Sequence, residues 1–91
     1  MTLDAHYKSN HNKYIQINDI EYELLYEPIQ FLYKKTGFYI DQYKDIRIHP
    51  VHLKILVDHA KLSKNIADIR HIIVFFEKAI CDEEVLCFFG D

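Results

Sequence analysis

From Ile66 onward, apolar residues recur at every third or fourth position: Ile66, Ile69, Ile73, Phe76 and Ile80, with Ile72, Phe75 and Ala79 beside them. This spacing predicts an amphipathic helix whose apolar stripe covers nearly half the cylinder, wide enough to sit at the centre of a core. Ser63 or Asn65 stands where its cap belongs. A second helical segment runs from Asn18 or Asp19 to Lys35, with acids in its first turns, two lysines at its end and Gly37 just beyond. Pro28 lies in the middle of it. A proline there removes a hydrogen bond and crowds the preceding turn, so a kink is expected, or two short helices meeting near Glu27. A third helix is expected from Pro50, favoured at a first helical position, to about Leu62.

The remaining segments read as extended or irregular. Residues 1–12, "MTLDAHYKSNHN", are polar and are expected to form a flexible N-terminal arm. "KYIQIN" at 13–18 alternates in a way that fits a short strand or a helix lead-in. Ile46 to His49 and the "VLCFFG" of 85–90 are strand candidates, and with two helices between them they can pair only as distant segments of one small sheet. The expected fold is α+β and mostly helical, with three main helices packed on a two or three stranded sheet that includes the C-terminal strand.

Composition narrows this further. Ninety-one residues, 49% of them hydrophobic and only two Gly and two Pro, make one globular domain and no disordered chain. No apolar run approaches the roughly 20 residues of a membrane span. The N-terminal segment lacks the apolar centre of a signal peptide, so a cytoplasmic protein with no membrane association is expected. Cys81 and Cys87 lie in apolar contexts and read as buried free thiols.

Charge is unevenly placed. Residues 14–33 carry four acids and no Lys or Arg, residues 34–71 carry eight basic residues against four acids, and residues 72–91 carry five acids against one lysine. A net charge of -3 argues against a nucleic-acid partner, which calls for a basic domain.

Six histidines raise the question of a metal. His52 and His59 share a helix side, but seven residues separate them by roughly 10.5 Å, too far for one ion. No Gly-rich phosphate loop, GxSxG or HExxH is present, and the two serines, Ser9 and Ser63, lie in the arm and at a cap. Asp41 and Asp45 read as capping and solvated residues. The expectation is no catalytic residue, metal or cofactor.

The first helical segment carries the strongest candidate for a binding surface. At 100° per residue Tyr22, Tyr26, Ile29 and Tyr33 share one arc, and Asp19, Glu23, Glu27 and Gln30 share the next. The tyrosines are either core residues with their hydroxyls at the rim or a binding face, where they supply rigid contact area while the carboxylates steer a basic partner.

Two stretches, "KKTGFYIDQYKDIRIHPVHLKILVDHA" and "VFFEKAICDEEVLCFFGD", together resemble a pattern in small bacterial immunity proteins, including those of contact-dependent growth inhibition. In that pattern a "TG" turn leads to an Asp-rich bend, a helix opening at a proline, and a closing "F..FLEKAI....L.F.GD". The resemblance covers residues 34–91 and departs from the pattern at His49, where a small capping residue is usual. It implies a cytoplasmic protein that binds and neutralises a cognate toxin domain, often a nuclease, with no catalytic residue of its own. The first helix's own pattern makes Asp19, Tyr22, Glu23, Tyr26 and Glu27 the expected contacts, and the resemblance adds Asp82, Glu83, Glu84 and Asp91 near the C-terminus. The alternative is a small regulatory or adaptor module that forms a homodimer through the tyrosine arc.

Overall fold

A computed structural model describes residues 2–90. The elements run β1 (Thr2–Tyr7), β2 (Tyr14–Asn18), α1 (Asp19–Leu24), α2 (Tyr26–Thr36), β3 (Ile46–Ile48), α3 (Pro50–Ala60), α4 (Ile66–Cys81) and β4 (Leu86–Phe89). The α+β class stands, but among the described residues the sheet has four strands and the helices number four. The strands are ordered β2-β1-β4-β3 and every pair is antiparallel.

The largest correction is at the N-terminus. Residues 2–7 are no flexible arm; they form an inner strand with β2 on one side and β4 on the other. Leu3, Ala5 and Tyr7 point into the core while Thr2, Asp4 and His6 alternate outward, a period of two that half-buried strands require. β4 is inner as well. Asp4 to Tyr7 pair with Phe89 to Leu86, and Ile46 to Ile48 pair with Phe88 to Leu86. Leu86, Cys87 and Phe88 are all buried, and Phe88 packs edge-on against Phe76 of α4 at 5.9 Å. Gly90 then passes so close to the 42–44 backbone that a Cβ would lie 2.6 Å from the Gln42 carbonyl carbon, so only glycine fits.

The expected kink resolves into two helices, but the break falls at Leu25, two residues before Glu27. Pro28 thereby sits in the first turn of α2, where a missing N–H is least costly. Leu25 closes α1 and opens α2, and its buried side chain pins the junction to the core. α1 begins with a capping box: the Glu21 N–H donates to Asn18 Oδ1 at 2.8 Å and the Asn18 N–H donates to Glu21 Oε1 at 3.0 Å. Gly37 ends α2 in the left-handed conformation at φ 83°, and Pro50 opens α3. α3 stops at Ala60, two residues short of expectation. α4 buries Ile69, Ile72, Ile73, Phe76 and Ala79 as its spacing predicts. Cys81 corrects another expectation: two residues beyond Ala79 it has turned to the far side of the helix and is exposed, while Cys87 is buried.

Phe88→Ala should lower the unfolding free energy by about 3–5 kcal/mol, measured by urea denaturation, because the ring fills the junction of β4 and α4 and a small residue leaves a cavity. Glu83, at φ 54°, holds a left-handed conformation that costs a non-glycine residue energy. Glu83→Gly should therefore stabilise the protein by about 0.5–1 kcal/mol in the same assay, the relief of that strain exceeding the entropy that glycine loses.

Candidate functional site

The break at Leu25 divides the tyrosine arc. Tyr22 is only 7% exposed and its hydroxyl donates to the Ile40 carbonyl at 2.5 Å, tying the segment after α2 to α1. Burial, and next the Tyr39 hydroxyl beside it, pushes its pKa well above the ordinary tyrosine value. Tyr22 is thus a core residue and not a surface contact. Tyr26 and Tyr33 remain about half exposed, whereas Ile29 is buried. A continuous helix would have carried Tyr22 and Tyr26 on one line; the reset at Leu25 sends one inward and one outward.

The acids divide too. Asp19 is exposed but accepts a hydrogen bond from Gln42 Nε2 at 3.0 Å. Glu21 meets His71 of α4, with Oε2 and Nε2 2.7 Å apart. Glu23 and Glu27 are exposed, and among the described residues neither accepts a hydrogen bond or pairs with a cation. Both line one groove of about 590 Å³ between the α1–α2 junction and the turn after α3. Leu24 and Pro28 lie on their side of it and Leu62 faces them. Leu62 is 82% exposed, an apolar side chain stranded in the polar turn "KLSKN", and Ile20 on α1 is 70% exposed. Sequence reasoning passed over Leu62, although its isolation between charged and polar neighbours was the signal.

Asp82, Glu83 and Glu84 do not join this surface. They follow the C-terminal end of α4, and the eleven residues from His71, which touches α1, to Asp82 span roughly 16 Å of helix. Two of the three have structural tasks: Asp82 Oδ2 accepts from the Tyr7 hydroxyl at 3.0 Å, and Glu84 Oε1 accepts from the Ser9 N–H at 3.1 Å. Asp91 lies outside the described residues. Asp41 Oδ1 accepts from the Tyr43 N–H at 2.8 Å, the capping role expected of it.

Four of the six histidines lie against other rings. His59 lies on Phe31 at 4.6 Å, His52 beside Phe38 at 4.9 Å, and His6 between Phe89 and His11. Among the described residues no three His, Cys, Asp or Glu side chains are placed to hold a metal ion, and no helix is long and apolar enough to cross a membrane. Comparison of the chain with protein-family models, curated proteins and solved structures finds no match.

Burial, and then the bond to Asp82 and that carboxylate's charge, raises the Tyr7 hydroxyl from 10 to about 12. A pKa raised on folding favours the protonated folded form. Its stabilisation is complete below pH 10 and is lost as pH climbs through 12; Tyr22 acts in the same direction. Urea midpoints should therefore fall between pH 10 and pH 12, and Tyr7→Phe should make that fall shallower.

Proposed function

We propose that this chain is an immunity-type protein that binds and neutralises a toxin domain, in the cytoplasm, through the α1–α2 face. The observation that carries the reading is the Glu23 and Glu27 pair: two exposed carboxylates in no ion pair among the described residues, with exposed Leu62 in the same groove and exposed Ile20 and Tyr26 on the same two helices. Unpaired acids next to apolar anchors suit a basic partner, because the charges steer the encounter and the apolar groups hold the complex. A nuclease is such a partner, since its site must be basic to hold phosphate and an acidic surface can occupy it. The resemblance of residues 34–91 to small bacterial immunity proteins supports a toxin partner, and the choice of the α1–α2 face rests on that face's own residues. Tyr22 and the Asp82–Glu84 cluster are left out of this interface, the first by burial and the second by distance.

The test is growth rescue and binding with the toxin encoded immediately upstream. Replacing Glu23 and Glu27 by Lys should leave the fold intact and weaken binding by roughly 1–3 kcal/mol, mainly through slower, salt-sensitive association. Tyr26→Ala should instead speed dissociation with little salt dependence. An upstream product that the protein neither binds nor neutralises, or a double charge reversal that protects like the parent, would overturn the proposal.

A further inference from the structure

The groove beside Glu23 and Glu27 continues beyond them. A second hollow of about 330 Å³, walled by Phe31 and Lys35 of α2 and by Ile55 and Asp58 of α3, shares His59 and Leu62 with the first. One side of the combined groove is Pro28, Phe31 and Lys35 of α2 with Leu24 from the end of α1, and the other is Ile55 and His59 of α3 with Leu62 from the turn that follows it; within each helix the steps are three and four. Within α2 the seven residues from Pro28 to Lys35 give it a length of roughly 10.5 Å, about two helical turns.

Resting on the reading of the α1–α2 face as a partner surface, we infer that this groove receives an amphipathic helix of the partner, with its N-terminal turn at Glu23 and Glu27. Between Pro28 and Phe31 on one side and Ile55 and His59 on the other, both walls are helices whose backbone groups are spent within their own helices, so along this stretch the groove offers side chains. An extended peptide lying there would have its own backbone groups unpaired, whereas a helix satisfies its own.

The charges fix the direction. At one end the two free glutamates outnumber Lys64 on the opposite wall. At the other end Asp58 is paired with Lys54 at 3.2 Å, which leaves Lys35, held over the Phe31 ring. A helix running parallel to α2 puts its positive end on the acids and its negative end near Lys35. Apolar side chains at i, i+4 and i+7 then meet Pro28, Phe31 and Leu62, and Lys or Arg in the ligand's first turn meets the glutamates.

The probe is a fluorescein-labelled, lactam-bridged helical peptide of about 14 residues with leucines at i, i+4 and i+7 and two arginines in its first turn. By anisotropy it should bind the full chain with a Kd of about 10–100 μM. Moving the arginines to the last turn should weaken it at least about fivefold, and Leu62→Asp at least about tenfold. Val51→Asp, on an equally exposed residue outside the groove, should change nothing. Absence of binding at about 1 mM, or equal binding by Leu62→Asp, overturns the inference. If the peptide fails while Glu23→Lys with Glu27→Lys still abolishes rescue, the acidic face is the interface and the groove is no helix receptor. If the peptide binds as described but the upstream toxin is ignored, the groove stands and the toxin reading falls.

Discussion

β4 has a neighbour on each side, and the whole sheet depends on that arrangement. β1 and β2 alone make a hairpin, which is marginal in water, and β3 is too short to hold a sheet by itself. Four residues from Leu86 to Phe89 join them and place Phe88 against the aromatic centre of α4. The C-terminal segment is apolar because it is an interior strand. Gly90 shows how closely that strand is seated, since the neighbouring backbone leaves no space for a side chain.

α4 was legible in its apolar spacing of three and four, α3 in the proline at its first position, and β4 in an unbroken apolar run. β1 was not. Leu3, Ala5 and Tyr7 do alternate with Thr2, Asp4 and His6, but alanine is a faint apolar mark and Asp and His are poor strand formers. The partners on both sides decide the matter, and those partners come from the far end of the chain. The register of the α1–α2 junction was hidden for a similar reason. Pro28 announces a break without saying on which side it falls, and the answer depends on Leu25 finding a place in the core.

That two-residue displacement shapes the candidate site. With one unbroken helix Tyr22 would flank Tyr26 on the surface; with the break, Tyr22 becomes a strut for the segment around Ile40, and Glu23 and Glu27 frame the entrance of a groove. The acids were recognisable by charge, but their division into engaged residues, Asp19 and Glu21, and free ones, Glu23 and Glu27, is a property of packing. So is the exposure of Leu62, which follows from α3 ending at Ala60.

The link between Tyr7 and Asp82, 75 residues apart, has a consequence for the order of events during synthesis. β1 leaves the ribosome before any of the helices, yet its second neighbour does not exist until translation has reached Phe89. Until then the early hairpin must wait with Leu3 and Tyr7 uncovered, and closing so large a loop is slow compared with forming any of the helices. The four-stranded sheet is thus complete only after every helix has been synthesised. A ribosome stalled before residue 86 would carry a chain that is helical in places but has no finished surface to offer a partner.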